Sequence, residues 1–300
     1  MYYKHSGRFT IGGLALSLVT GLGFGALLAY VYGHGLILIP EAHLAGAATL
    51  VFGLLVGVGT GLGLLWGKVR NKWVAVAVAA PVSFVALYLS WAVWIAAVLN
   101  PRRSHPISWL ALANRPGAVW YLMKWVNRYG TWGLDQAGPT KGWELWGIWG
   151  AEAAVVIGAA IALAVVVVLS KPFCEACGAW CRRSVDMLLS PTQDPAQLKQ
   201  QLESKNMRVL EGHSRVSKTK DHLGVTLHSC STCGQLHTLT VSQVTTQRRR
   251  FGHFRVRVTT IVKHLLVGPS EAQTLRSFSE NLTQTAKLAP PRAKGAAAGL

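Results

Sequence analysis

Five cysteines carry the clearest chemistry in this 300-residue chain, and all of them lie beyond residue 170. Four fall in two copies of one pattern, Cys174-Glu175-Ala176-Cys177-Gly178 and Cys230-Ser231-Thr232-Cys233-Gly234. Two residues between thiols allow a tight turn to aim both sulfurs at one tetrahedral ion. Glycine after the second cysteine permits the left-handed backbone that turns amides toward the sulfur. Two such turns supply four thiolates, which fill a tetrahedral metal and leave no position open for water. An odd cysteine count, with four in CxxC pairs, favours metal in a reducing compartment over a disulfide framework. Neither pair sits in the βαβ context of a thioredoxin-like redox motif. Cys181 reads as a spare thiol. His228 and His237 flank the second pair, but four thiolates leave them no ligand position.

The paired CxxCG knuckles resemble the zinc-ribbon family of small β domains. The resemblance covers the knuckles and their neighbouring strands, and it implies structural Zn2+ held by Cys174, Cys177, Cys230 and Cys233, with a binding or assembly role. The spacing departs from the family's, because 52 residues separate Cys177 from Cys230. An insertion with a short helix at 195–206 is therefore expected to bulge out. With short hairpins and a long polar insertion, the domain is expected to bury little apolar surface and to depend on its metal for folding.

Other chemistry is sparse. The chain has no Walker loop, no HExxH and no GxSxG, and no catalytic residues are assigned. A single acid, Glu152, lies in an apolar stretch. Near the start of a span it reads as an interfacial carboxylate, the alternative being a partner for Arg102, Arg103 or His105. One carboxylate cannot supply paired acid–base work. A basic set, Arg248, Arg249, Arg250, Arg255 and Arg257, offers a surface for nucleic acid, with Phe251 and Phe254 as the only interleaved aromatics.

The elements that must position these groups divide the chain in two. Residues 1–170 hold 11 of the 30 Lys and Arg and 4 of the 12 Asp and Glu, whereas residues 171–300 hold 19 and 8 and carry a net charge of +11. Four apolar stretches, 10–33, 43–66, 73–99 and about 149–169, are each long enough to cross hydrocarbon, which takes about 20 residues. Lys4 and Arg8 precede a first stretch too long for a cleavable signal. The first connection has no Lys or Arg, whereas the second contains Lys68, Arg70 and Lys72, and Lys171, Arg182 and Arg183 follow the fourth stretch. The positive-inside rule then predicts both termini in the cytoplasm. The connection 100–148 is external by this rule. It holds six of the twelve tryptophans, so residues 109–129 are expected to lie as an interfacial helix or re-entrant cap, or to form a lid over a ligand.

Small residues recur every four positions in the first two stretches. Gly13, Ser17, Gly21, Gly25, Ala29 and Gly33 form one row, and Ala45, Thr49, Gly53, Gly57 and Gly61 another, with Gly59, Gly63 and Gly67 beside it. Such rows let backbones approach closely. They predict packing of the first helix against the second, or self-association into a homo-oligomer. Beyond residue 170, alternation predicts strands over 225–227, 236–244 and 254–262, with 248–253 as a hairpin tip. Ser270 is expected to begin a last helix with Gln273 as its capping-box partner. The tail 289–300 is expected to be disordered.

The fold expected is an α-helical membrane bundle over 1–170 followed by a small α+β zinc-ribbon-like domain over 171–288. The whole chain resembles four-helix inner-membrane proteins of bacteria. This points to a non-enzymatic multi-pass protein that sits in the lipid bilayer and presents its zinc domain to a cytoplasmic protein partner. The alternatives are transport or lipid handling regulated by the zinc domain, against which the shortage of polar residues in the spans argues, and a membrane-tethered nucleic-acid binder.

Overall fold

Long apolar runs, two of them opened by side-chain N-caps, fold the first half into helices. The structure is a computed structural model that describes residues 1–39, 41–100, 107–131, 139–216, 221–248 and 254–288. Expectations for Arg102, Arg103, His105, Trp132, Arg249, Arg250, the hairpin tip 249–253 and the tail 289–300 fall outside those residues. Two compact units emerge, one of His5–Ser170 and one of Met1–Lys4 with the described residues from Lys171 onward.

In the first unit, helices α1 (Ile11–Gly35), α2 (Ala42–Trp66) and α3 (Lys72–Leu99) are followed by two shorter ones, α4 (Trp109–Ala113) and α5 (Pro116–Tyr129), and by α6 (Trp143–Leu169). The Thr10 hydroxyl accepts from the Gly13 amide at the start of α1, and Asn71 Oδ1 accepts from the Trp73 amide at the start of α3. Four of these helices are long and apolar enough to cross a membrane. At 1.5 Å per residue the shortest of them extends over about 36 Å, more than the hydrocarbon thickness of about 30 Å. Their large side chains face outward: Leu27 is 60%, Phe84 62% and Val166 58% exposed.

Three expectations change in this unit. Helix α6 begins at Trp143, six residues before the expected 149, so Glu152 lies in its third turn. The segment 109–129 is two helices, broken at Asn114 and Arg115. Pro116 causes the break, because a residue before proline is pushed out of the helical region, and Arg115 has φ −126° and ψ 74°.

The first two helices pack on each other as expected, but several of the small residues in the rows meet other helices. A Cβ at Gly53 would stand 2.8 Å from the Val156 backbone, and one at Gly57 would stand 2.7 Å from the Ala160 carbonyl oxygen, both on α6. The neighbouring row is the one that meets α1: Gly63 faces Ser17 and Thr20, and Gly67 lies against Gly13. Higher on α1, Gly25 faces Ala86, and Gly33 faces Ser90 and Val93, all on α3; Gly21 sits between Thr60 and Val82. Helices α1 and α6 thus each pack on both α2 and α3. Because the helix turns about 100° per residue, the two glycine rows of the second helix lie on different faces, and each takes a different neighbour.

The second unit opens with a hairpin, β1 (Phe173–Cys174) and β2 (Ala179–Trp180). A four-stranded antiparallel sheet follows, in the order β3 (Arg182–Leu189), β4 (His222–Ser229), β5 (His237–Arg248), β6 (Phe254–Val267). Strand β3 was not expected, although Val185, Met187 and Leu189 alternate and are buried. Helix α7 (Pro195–Glu203) begins where Asp194 Oδ1 accepts from the amides of Ala196 and Gln197. It does not bulge out: Leu198 and Leu202, with Met207 and Leu210 of the next turn, are buried in one core with Leu223, Val225, Leu227, Leu239 and Val241. This core also corrects the expectation of a domain with little apolar burial.

The last helix, α8 (Pro269–Leu288), starts at proline, and the Ser270 hydroxyl donates to Glu271. Serine is therefore not the cap. Amides of the helix start, the Glu271 amide first and the Ser270 hydroxyl next, lower the pKa of the Glu271 carboxyl, which takes the capping position. The N-terminus belongs here as well. The Tyr3 amide donates to the His264 carbonyl (2.9 Å) and the Leu266 amide to the Met1 carbonyl (3.0 Å), which adds a short segment beside β6.

Candidate metal centre and the cavity of the helical unit

Each cysteine pair sits on a turn shaped by its glycine. Gly178 (φ 60°) and Gly234 (φ 63°) both adopt the left-handed conformation. The first pair is carried by the β1–β2 hairpin, and the second joins β4 to β5, closed by the Cys230 amide donating to the Leu236 carbonyl (2.9 Å). The Gln235 amide donates to Cys233 Sγ at 3.5 Å, as the glycine geometry requires.

The structure brings all four predicted ligands together. The Sγ atoms of Cys174, Cys177, Cys230 and Cys233 lie within 4.8 Å of one another, with Cys174 and Cys233 3.7 Å apart. Bonds of about 2.3 Å at a tetrahedral angle place sulfurs about 3.8 Å apart, so the set fits a single four-coordinate ion. Cys174 and Cys230 are buried, while Cys177 and Cys233 are half-buried.

Electrostatics make the same point. Amide donation, chiefly from Cys233, pulls the Cys230 thiol down to about 6. Contact with the Cys233 thiol pushes Cys177 up to about 12, and burial raises Cys174. Cys230 therefore ionises readily, whereas Cys174 and Cys177 resist a second charge beside it. A divalent cation is what makes four thiolates compatible at this separation.

Cys181 is buried beside the cluster but outside it. Burial, with the neighbouring cysteines, pushes its thiol up to about 12, and its amide donates to the Pro172 carbonyl (2.8 Å). Neither flanking histidine joins the ligand set. His237 Nδ1 lies 2.8 Å from Ser229 Oγ, which also accepts from Arg276. Burial lowers the pKa of His228 and His237, so both are neutral at pH 7. Reasoning from sequence missed Tyr3, whose hydroxyl accepts from the Phe173 amide (2.9 Å) and so ties the N-terminus to the first knuckle strand.

Of the expected basic set, Arg248 lies on β5, and Arg255 and Arg257 lie on β6. Strands β5 and β6 run on past the end of β4 as a two-stranded arm, with Gln247 opposite Arg255 and Arg248 opposite Phe254. By register, positions 255 and 257 share one face of the arm and position 248 belongs to the other.

The helical unit contains a cavity of about 690 Å3. Its lining includes Glu152, Tyr32, Thr49 and the tryptophans Trp91, Trp94, Trp125 and Trp149. Glu152 stands about 14 Å along α6 from the helix start. The Tyr32 hydroxyl donates to Glu152 Oε1 (2.8 Å) and lies 2.8 Å from Thr49 Oγ1, and its ring stacks on Phe52 at 4.4 Å. The Trp91 indole nitrogen is buried in the same space, close enough to act on the Glu152 carboxyl. These polar groups come from α1, α2, α3 and α6, separate stretches that look apolar one at a time. No protein family, curated protein or solved structure matches the chain, so the functional reading rests on this geometry.

Proposed function

We propose that the chain is a multi-pass membrane protein of the bacterial inner membrane that presents a structural zinc domain to a cytoplasmic protein partner, without catalysis of its own. The observation that carries this reading is the closed set of four cysteine sulfurs within 4.8 Å. A set with every position taken by thiolate holds its ion as a strut and offers no site for a reacting water. Zinc is favoured over iron because the knuckles resemble zinc ribbons, and both termini are cytoplasmic by the distribution of Lys and Arg. The sheet that adjoins the knuckles would then be the partner-binding surface.

The full chain, purified in detergent, should carry one zinc per chain by elemental analysis and lack the visible absorbance of an iron–thiolate centre. For orientation, His43→Cys and Lys141→Cys should react with an impermeant maleimide from outside intact cells, and Lys72→Cys should not. The reverse labelling would put the thiols in an oxidising space and end the reading.

A further inference from the structure

We propose that the cavity of the helical unit is a binding site for an organic cation with an apolar body, an alkyl- or aryl-substituted ammonium in chemical class, with Glu152 as its counter-charge. The inference is independent of the metal centre. It starts from an imbalance at Glu152. A carboxylate removed from water needs hydrogen bonds and a neighbouring positive charge, or it costs several kcal/mol. The Tyr32 hydroxyl donates to Glu152 and the Trp91 indole adjoins it, but among the described residues no Lys, Arg or His forms an ion pair with it.

The surroundings indicate what supplies the missing charge. Tyr32 is held in place by its stack on Phe52 and its contact with Thr49, so its hydroxyl is fixed before any ligand arrives. Around the carboxylate, the indoles of Trp91, Trp94, Trp125 and Trp149 line the same space. Indole faces attract cations and also cover apolar surface, whereas a strongly hydrated metal ion would find too few oxygen ligands here. A volume of about 690 Å3 admits a molecule of drug size. An acid for the charged centre, tryptophans around it and apolar helix faces for the remainder make a complementary set for an amphipathic cation. An anion of the same shape meets the carboxylate and is rejected.

The test uses the full chain in lipid nanodiscs and two probes of equal shape and opposite charge. Tetraphenylphosphonium should bind saturably by calorimetry and quench tryptophan fluorescence, and tetraphenylborate should do neither. Glu152→Gln should weaken tetraphenylphosphonium binding at least tenfold, and Glu152→Asp should keep it within a few-fold. Equal binding of both probes, or undiminished binding by Glu152→Gln, overturns the proposal and leaves Glu152 as a structural partner of Tyr32. If Glu152→Gln does not fold, the wild-type protein decides the matter: tetraphenylphosphonium should slow modification of Glu152 by a hydrophobic carbodiimide, read by mass spectrometry. Unchanged labelling overturns the proposal.

Discussion

Fully buried positions of the helical unit are rich in small residues, such as Ala29, Ala75, Ala79, Ala160 and Ala164, while Leu27, Phe84 and Val166 face outward. In the strand-rich unit the order is reversed: Leu202, Leu223, Leu227 and Leu239 are inside. Water drives large apolar side chains inward by the hydrophobic effect, as in the second unit. A lipid environment removes that drive, and helices then associate through close backbone contact between small residues. One chain thus contains two packing rules, and the same substitution should have different consequences on the two sides of residue 170.

The metal centre provides the largest effect. Cys174→Ser, Cys177→Ser, Cys230→Ser and Cys233→Ser should each abolish stoichiometric metal, forfeiting binding on the order of 10 kcal/mol, and Cys181→Ser should retain it. Because Leu202, Leu223 and Leu239 form a core of their own, far-UV circular dichroism should keep the strand signal after metal loss. Collapse of that signal would mean the sheet depends on its ion. The pH dependence has a definite sign. Cys174 and Cys177 hold their protons at pH 7 because their thiols are raised, so metal must displace those protons. Affinity should therefore fall on acidification, by about tenfold per pH unit for each displaced proton. A competition titration with a chromophoric chelator at pH 7 and 8 measures it.

Next in size is truncation of a leucine. Leu202→Ala, at a site with no exposure, should cost about 2–5 kcal/mol in chemical denaturation of the strand-rich unit. Leu27→Ala, 60% exposed on α1, should leave the thermal stability of the detergent-solubilised protein almost unchanged. Comparable losses at both sites would mean that α1 buries Leu27 against something.

Glycine substitutions should give the smallest effects. Gly57→Ala forces a methyl to 2.7 Å from the Ala160 carbonyl oxygen, where backbone must move, and should cost about 1–3 kcal/mol. Gly25→Ala meets the Ala86 methyl at 3.3 Å and Val82 Cγ1 at 3.9 Å and should cost less, and Gly12→Ala meets nothing within 4 Å. Melting temperatures in detergent that rank Gly57, Gly25, Gly12 would sharpen the packing rule. Equal tolerance would break it.

Local features were legible wherever the determinant was local. Four apolar runs, the last interrupted only by Glu152, set four long helices, and two CxxCG motifs set two knuckles, because a tight turn and a left-handed glycine need only neighbouring residues. Proline breaking the segment 109–129 was equally local, yet it was overlooked.

Apart from the shared cysteine set, partnerships between distant residues required tertiary structure. The glycine pattern marks close approach but not which helix approaches, so Gly53 and Gly57 meeting α6 could not be read from α2 alone. The 52 residues between knuckles look polar in sequence, but alternation in β3 and a single face of α7 supply a core once the sheet sets them side by side. Glu152 looked isolated because Tyr32, Thr49 and Trp91 lie on three other helices. Side-chain chemistry and short-range geometry are properties of the sequence by itself. A cavity exists only when packed helices bring such groups around one space, and that juxtaposition was decided by the fold.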